Sequence, residues 1–272
     1  MVNILKTIFF FLLEYLKVNA YFRKINKGRI KVLMYHSISD AGLYFDNSVS
    51  EADFISQMNY LYKHYSVLKI SQEGQISGYD STKVNILITF DDGFKDNFTI
   101  AAKVLARYQF SGIFFVIGEC LQRGSPPAFV NSKMYKSRES QAYKTFTTND
   151  ALEMINMGMT IGSHGQTHID YAKHSFEAAR SDALISKSCI ETQLGVPVEL
   201  FAFPWGRFRA KHLEPCKKYY KRIFTTQHGF NKVDDTVLFR NEVANTLHLF
   251  CAASGALDFF IDLIRPRAKK LN

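Results

Sequence analysis

The alternation of short, uninterrupted apolar runs with segments of helical periodicity is the feature that most constrains the fold of this chain. One helical segment follows Ser50, which forms a capping pattern with Asp53 ahead of Phe54, Met58 and Leu61. Strands that are apolar throughout are typical of a parallel sheet covered on both faces. The predicted strands are residues 31–35, 84–90, 112–118, 159–163 and 198–203.

The length of the chain fits a single domain. Its 272 residues, 47% of them hydrophobic, suit one α/β barrel. No internal repeat and no linker rich in Gly, Ser or Pro divides the chain. Residues 123–146 are polar, contain Pro126 and Pro127, and predict one long surface loop of the kind that is often functional. We therefore predict a closed or nearly closed barrel whose chemistry lies at the carboxyl ends of its strands.

The charge and the cysteines restrict the class of partner. A net charge of +9 and a pI near 9.2 predict attraction to an anionic partner. There is no basic patch interleaved with stacking aromatics and no nucleic-acid reading motif, so nucleic acid is not expected. The cysteines form no CxxC pair, which argues against a cysteine zinc site and a disulfide scaffold and is consistent with reduced thiols. They are Cys120, Cys189, Cys216 and Cys251.

The two ends of the chain differ from the middle. The apolar residues 8–13 are interrupted by Glu14 and Lys17, and they are too few for the roughly 20 that a spanning helix needs. We favour an amphipathic helix on the membrane surface, in a cytoplasmic protein at the inner face, with the basic residues 23–31 meeting anionic headgroups. One alternative is that this helix simply packs on the domain. Another is that the protein is secreted or periplasmic and is cleaved after Ala20. We therefore predict three parts of the chain: an amphipathic and basic N-terminal segment at 1–30, one folded domain at 31–265, and a basic tail at 266–272.

Two adjacent carboxylates end one predicted strand. Asp91 and Asp92 follow the run 84–90 and precede Gly93. Such a pair can serve a metal and a reacting water together. Neighbouring strand side chains point in opposite directions, so the turn must redirect one acid if both enter one site, and we expect different roles for the two. The alternative is an ordinary surface turn, for which Asp-Gly is a common dipeptide.

Two histidines end another predicted strand. His164 and His168 follow the run 159–163, and a spacing of four places both on one face of a helical turn, as two metal ligands often are. With Asp92 they would form a facial Asp-His-His set that leaves positions open for water and substrate. Nitrogen and oxygen ligands of this kind favour zinc, with cobalt, nickel or iron as alternatives. A structural histidine is the competing interpretation for either residue alone.

The only tryptophan of the chain follows a third predicted strand. Trp205 lies between Pro204 and Gly206, and an exposed aromatic side chain beside a barrel mouth is a natural platform for a sugar ring. Phe201 and Phe203 are equally well explained as core residues.

These segments, in this order, resemble the polysaccharide deacetylase family, carbohydrate esterase family 4. The family signature is TFDDG, then H-[ST]-x-x-H, then a Pro-aromatic-Gly turn; here the segments are TFDDG at 89–93, HGQTH at 164–168 and PWG at 204–206. Gly165 stands where the family usually has Ser or Thr. The segment LMYHS at 33–37 also resembles the opening strand of many members. The resemblance covers about residues 31–245 and implies a distorted (β/α) barrel, here with about seven parallel strands.

The resemblance also implies roles for individual residues. Asp91 matches the general base that activates water, and the backbone N–H of Trp205 matches the donor that stabilises the oxyanion. The matching metal ligands are Asp92, His164 and His168, and the predicted substrate contacts are Phe90, Pro204, Trp205 and Gly206.

Two functional residues of the family lack a clear match. Many members have an Arg just before the Pro-aromatic pair that orients the base, where this chain has Phe201-Ala202-Phe203. Arg240 is our candidate replacement. For the general acid, His36 at the end of the first strand is preferred over His248, which lies in a segment without a matching motif.

The sequence thus predicts a metal-dependent hydrolase that removes N-acetyl groups from an amino sugar of a polysaccharide or glycan precursor. The predicted partner is an N-acetylated glycan, and peripheral membrane association is expected. The alternatives are an inactive sugar-binding module of the same fold, and a metal-dependent deformylase or amidase that acts on a non-polymeric substrate.

Overall fold

A parallel sheet that curls into a nearly closed barrel forms the centre of the protein. The computed structural model describes residues 12–13, 16–39, 48–130, 143–243 and 245–264. The strands are β1 (Ile30–Tyr35), β2 (Ser66–Val67), β3 (Lys69–Ile70), β4 (Ile76–Ser77), β5 (Asn85–Phe90), β6 (Ile113–Val116), β7 (Thr160–Ser163), β8 (Leu200–Ala202), β9 (Arg222–Phe224), β10 (Val237–Leu238) and β11 (Arg240–Glu242).

The strand order confirms the predicted distorted barrel. Parallel neighbours run in the order β10-β9-β8-β7-β6-β5-β1-β11, with β2 added beside β5 and β3–β4 forming a separate antiparallel hairpin. Strands β10 and β11 are separated only by Phe239; the first pairs with β9 and the second with β1. This bent segment therefore brings the two ends of the sheet together.

The strand register aligns the carboxyl ends of the strands. Six residue pairs join β1 to β5, from Ile30 with Asn85 to Tyr35 with Phe90. The N–H of Asp91 then donates to the carbonyl of Tyr35 at 3.0 Å. Ser163, the last residue of β7, pairs with Val116 and Phe201. The residues that follow β1, β5, β7 and β8 consequently meet at one mouth of the barrel.

Buried apolar side chains form two main layers. One cluster contains strand and hairpin residues and no helix residue, including Val32, Leu87, Phe115 and Phe224, so it fills the barrel interior. The larger cluster lies between the sheet and the helices and contains alternate strand residues such as Phe90. Because side chains alternate along a strand, odd-numbered positions of β5 and even-numbered positions of β1 face the interior.

Helices cover the outside of the barrel. Ser50, Thr147 and Ser175 cap three of them with side-chain oxygens, and Gly195, with a φ of 66°, ends the longest. The start at Ser50 agrees with the capping pattern predicted from the sequence. The helices are α1 (Val18–Ile25), α2 (Glu51–His64), α3 (Lys103–Arg107), α4 (Gly118–Leu121), α5 (Thr148–Asn156), α6 (Phe176–Leu194), α7 (Ala210–Tyr219), α8 (Thr246–Ser254) and α9 (Ala256–Ile264); a π-helical turn, Asn97–Ala102, precedes α3.

Helix α1 packs against α8 and α9. The hydroxyl of Ser254 donates to Asn19 Oδ1, and Asn26 Nδ2 donates to the Ser254 carbonyl. The predicted basic tail and residues 1–11 lie outside the described residues. Within the ranges described, no single helix is long and apolar enough to cross a membrane; α8 and α9 together pass that test on length and composition, but the pair is bent by 82°.

Candidate metal centre

The three predicted metal ligands meet at the carboxyl-terminal mouth of the barrel. One ligand atom each from Asp92, His164 and His168 lies within 4.8 Å of the other two, and all three residues are buried. Asp92 Oδ1 is 3.2 Å from Nε2 of His168 and 3.5 Å from Nε2 of His164. The structure thus brings Asp92 together with two histidines that lie more than seventy positions further along the chain.

Unusual backbone conformations direct these side chains inward. Asp92, His168 and Trp205 have φ values of 71°, 56° and 59°, a left-handed region that residues other than Gly adopt at some cost. Asp91 occupies the interior-facing position that continues β5, and the turn at Asp92 and Gly93 brings the second acid into the same site. The need to redirect one carboxylate, predicted from strand geometry, is met in this way.

The ligand atoms suit a divalent cation. Asp92 Oδ1 is buried and has no hydrogen-bond partner, an arrangement that is costly for a carboxylate unless something else satisfies it. His164 Nδ1 lies 2.9 Å from the carbonyl of Ala202, which fixes its proton there and leaves the Nε2 lone pair facing the cluster. Two imidazole nitrogens and one carboxylate oxygen form a donor set that zinc and similar metals accept.

The protonation states agree with this arrangement. Burial lowers the pKa of His164 to about 4, so the ring is neutral near pH 7 and able to bind a metal. Burial alone would raise the pKa of Asp92, but the neighbouring rings of His168 and His164 outweigh it and hold that pKa well below the usual value. The site therefore contains a carboxylate and at least one neutral imidazole at neutral pH.

Asp91 is held apart from the cluster by a buried ion pair. Arg240 donates from Nη1 to Oδ1 at 2.6 Å and from Nη2 to Oδ2 at 2.8 Å. It also donates from Nε to the carbonyl of Thr225 at 3.0 Å. Burial alone would raise the pKa of Asp91, but Arg240 and His164 keep it below its ordinary value. Arg240, chosen from sequence as the partner of the base, lies against Asp91.

A buried carboxylate on helix α6 fixes the turn between the two histidines. Asp182 accepts from the backbone N–H groups of Gln166 and Thr167 at 2.9 Å and 3.0 Å, from the hydroxyl of Thr167 at 2.8 Å and from that of Tyr171 at 2.8 Å. A Cβ atom on Gly165 would approach Asp182 Oδ2 to 2.6 Å. This close contact explains why the turn has Gly165 at the position where the family pattern has Ser or Thr.

The cluster opens into a cavity of about 410 Å³ with an aromatic wall. The Trp205 ring is 49% exposed and lies 5.5 Å from the ring of Phe129, and its Nε1 donates to the carbonyl of His168 at 3.2 Å. The lining residues are Met34, His36, Asp91, Asp92, Phe129, His164, His168, Trp205, Gly206, Thr226 and Glu242.

Three predicted or alternative site residues lie away from the cavity lining. Phe90 is fully buried and stacks on Phe114 with a centroid distance of 4.5 Å, because its position on β5 faces the helices. Pro204 is buried at the start of a short 3-10 turn, Pro204–Gly206. These two positions correct the expected side-chain contact with substrate. His248 lies in the first turn of α8, whereas His36 lines the cavity and is half-buried.

Several residues that line the cavity or support the site were not predicted from the sequence. Phe129 belongs to the loop predicted at 123–146, but nothing singled it out within that loop. Asp182 did carry a signal, since it interrupts the apolar stripe of α6 formed by Ala179, Ala183 and Ile190. Met34, Thr226 and Glu242 have no motif of their own.

A second cavity, of about 750 Å³, lies at the amino-terminal ends of β1 and β10. Lys27, Arg29, Tyr79, Lys232 and Phe239 contribute to its lining. It contains none of the candidate metal ligands, so the chemistry described above is confined to the smaller cavity at the other end of the strands.

Comparison with known proteins gives a consistent result. The sequence model of the polysaccharide deacetylase family matches residues 78–222. A Bacillus subtilis protein with the provisional name polysaccharide deacetylase YxkH is 24% identical over 243 residues, which are 88% of this chain and 79% of the relative. A polysaccharide deacetylase structure from Bacillus cereus aligns with a TM-score of 0.66 at 25% identity, over 83% of this chain and 69% of that one. IcaB from Ammonifex degensii aligns with a TM-score of 0.68 at 20% identity, over 84% and 97%, and supports the fold.

Proposed function

The chain belongs to the polysaccharide deacetylase family, and we propose that it is a metal-dependent hydrolase that removes N-acetyl groups from an amino sugar of a polysaccharide or glycan precursor. One observation carries the proposal. The buried cluster of Asp92, His164 and His168 lies beside a second carboxylate, Asp91, at the base of a cavity with an aromatic wall. A sugar-binding module would need the aromatic wall but neither the cluster nor the buried Arg240.

Asp92, His164 and His168 would hold the metal, with zinc as the first candidate. A divalent cation at such a site polarises a carbonyl group and lowers the pKa of water. Asp92 Oδ1 and the two Nε2 atoms already face one another, so no side chain has to leave a hydrogen bond to bind the cation. Asp182 contributes by holding the turn that carries both histidines.

Asp91 is the proposed general base. Its carboxylate stays ionised because Arg240 pairs with both oxygens, and its Oδ2 is the oxygen that faces the cluster, 3.9 Å from His164 Nε2. In this proposal Oδ2 takes a proton from the attacking water, whose oxygen bonds to the acetyl carbon. Arg240 keeps the carboxylate in a single orientation, which makes it a positioning residue.

Bond breaking requires a proton for the leaving amine. We assign this to His36, which lines the same cavity and whose charge also acts on Asp91 and Asp92. When the carbon–nitrogen bond breaks, the sugar nitrogen takes the proton and acetate remains. The backbone N–H of Trp205 is the proposed donor to the oxyanion, and the exposed ring of Trp205 and the half-buried ring of Phe129 would pack against a sugar ring.

The test compares acetate release by the wild-type protein and by Asp91→Asn on a panel of free, lipid-linked and polymeric N-acetylated sugars. We expect wild-type activity on at least one of them, and a loss of about two to four orders of magnitude in Asp91→Asn, the usual contribution of general acid–base catalysis. The metal content should be unchanged. Asp234→Asn, at an exposed carboxylate, is the matched control and should keep full activity.

Other outcomes would favour the other candidates. Binding of a glycan without acetate release by the metal-loaded protein would indicate an inactive sugar-binding module. Release of formate, or of acetate only from non-sugar amides, would indicate a deformylase or amidase. Loss of metal together with activity in Asp91→Asn would make Asp91 a ligand and overturn the proposed roles.

A further inference from the structure

A cluster of exposed apolar side chains lies on helix α1, the turn before it, and helix α9. In the described part of the chain, six of the eleven exposed large apolar side chains lie in these segments. They form three pairs, each with a spacing of four residues that places both members on one side of a helical turn. We call this set the α1–α9 face: Leu12 with Leu16, Tyr21 with Ile25, and Phe259 with Leu263.

The inward-facing side chains of these segments pack against one another. Leu13, Val18 and Phe22 pack with Ala256 and Phe260 in a small core, and the rings of Phe22 and Phe259 lie 5.4 Å apart. The two helices are thus in contact, and their exposed pairs remain after the packing between them is complete. Exposed apolar side chains grouped on two packed helices in this way are typical of an interaction site.

The charges on helix α1 and just beside it are positive. Between Leu16 and Arg29 the sequence has five basic residues and no acidic one, and Lys17, Lys24 and Lys27 are exposed. Helix α9 contains two acids, and both have side-chain partners: Asp258 is buried against Lys31, and Asp262 lies 3.3 Å from His228. The exposed apolar side chains of α1 are therefore bordered by exposed lysines, and each carboxylate of α9 has a partner.

We propose that the α1–α9 face binds the surface of an anionic lipid bilayer. Its apolar side chains would enter the boundary between headgroups and acyl chains while the lysines meet lipid phosphates. The eight residues of α1 extend about 12 Å, far less than the roughly 30 Å of a hydrocarbon core, so the helix lies along the surface. This inference is independent of the proposed hydrolysis.

The sequence beyond both ends of the face continues the same pattern. Residues 8–11, Ile-Phe-Phe-Phe, precede Leu12, and four basic residues, Arg265, Arg267, Lys269 and Lys270, follow α9. A second copy of the chain is a poorer occupant, because a two-fold interface would bring the same lysines of both copies together. An anionic bilayer instead offers both opposite charge and an apolar layer.

Flotation of the full chain with vesicles tests the proposal. Wild-type protein should float with vesicles of phosphatidylglycerol and phosphatidylcholine, bind pure phosphatidylcholine much more weakly, and bind less at high salt, where the Debye length falls to about 3 Å. Lys17→Gln/Lys24→Gln/Lys27→Gln should lower the partition coefficient on the order of a hundredfold, because each basic residue near such a surface contributes about fivefold. Leu16→Ser/Ile25→Ser/Leu263→Ser should lower it at least about tenfold.

Matched controls separate this face from general charge attraction. Lys103→Gln/Lys211→Gln/Lys218→Gln removes the same charge from exposed positions on α3 and α7, and Ile185→Ser removes an exposed apolar side chain on α6. Both controls should bind vesicles like the wild type. An equal loss in the charge control, or no vesicle binding by the wild type, would overturn the proposal. A wild-type dimer that the triple Ser variant converts to monomer would assign the face to a second copy instead.

Discussion

The buried pair of Arg240 and Asp91 predicts how the site responds when one of its charges is removed. Two short hydrogen bonds, of 2.6 Å and 2.8 Å, join the side chains, and neither residue is more than 3% exposed. Arg240→Met keeps much of the side-chain volume but leaves Asp91 as a buried charge without its partner. Breaking a buried pair in this way costs about 3–5 kcal/mol, a large share of the roughly 5–15 kcal/mol that stabilises a typical protein.

The loss of unfolding free energy in Arg240→Met should depend on pH in one direction. In the wild type, burial alone would raise the pKa of Asp91, but Arg240 and His164 lower it. The carboxylate therefore stabilises the fold above about pH 4, and this stabilisation is lost as the pH falls through the lowered pKa. In Arg240→Met burial dominates and raises the pKa of Asp91, so protonation relieves the cost. The deficit in unfolding free energy should be largest near pH 7 and shrink as the pH falls towards 4.

Urea unfolding of the metal-free protein measures this deficit, with chelator present because a bound cation would itself offset the charge of Asp91. The double variant Asp91→Asn/Arg240→Met should regain a large part of the lost stability, since it removes both charges. A deficit below about 1 kcal/mol, the range of an exposed ion pair, would refute the reasoning. So would a deficit that grows as the pH falls.

Three further outcomes are expected. His164→Ala or His168→Ala should abolish stoichiometric zinc binding measured by elemental analysis, whereas His174→Ala, at an exposed position, should not. Tightly bound zinc retained in both site variants would contradict the ligand assignment. Asp182→Ala should weaken zinc binding about 10–100-fold, the usual effect of losing a group that orients ligands, as measured by competition with a chelator. Glu177→Ala, exposed on the same helix, is the control. An unchanged zinc affinity in Asp182→Ala would mean that the turn between the histidines keeps its conformation without Asp182. The alkaline limb of the pH–rate profile should shift or vanish in His36→Ala and persist in His248→Ala, and the reverse pattern would assign the acid to His248.

The parallel barrel could be predicted because its strands are apolar on both faces. Continuous runs such as 84–90 and 112–118 have few alternative structures at that length, and the caps at Ser50, Thr147 and Gly195 mark helix ends through local hydrogen bonds. The last part of the barrel left no such signal. Strands β9, β10 and β11 are two or three residues long, and Arg222 and Arg240 lie within them, so their pairing depends on the rest of the sheet.

The cluster of ligands could be predicted because strand ends meet at one mouth, whatever the residues between them. The supporting contacts could not be derived in the same way. Asp182 is eighteen positions from His164 and reaches the turn only because α6 packs over the end of β7. Phe129 enters the cavity from a loop whose path no periodicity specifies. Phe90 was assigned to the site because it lies in the motif, but strand alternation directs its ring to the opposite side.

The turn between the two histidines explains why this chain has glycine at position 165, where the family pattern has Ser or Thr. With a φ of 78° at Gly165, the backbone reverses tightly enough for the N–H groups of Gln166 and Thr167 to reach one carboxylate. A side chain at position 165 would occupy the space of Asp182 Oδ2. Glycine at 165 and an acid at 182 are therefore two parts of one arrangement, which fixes the turn without contacting the ligand atoms. Because the backbone is fixed there, His168 can be held in its own left-handed conformation, with Nε2 directed at Asp92.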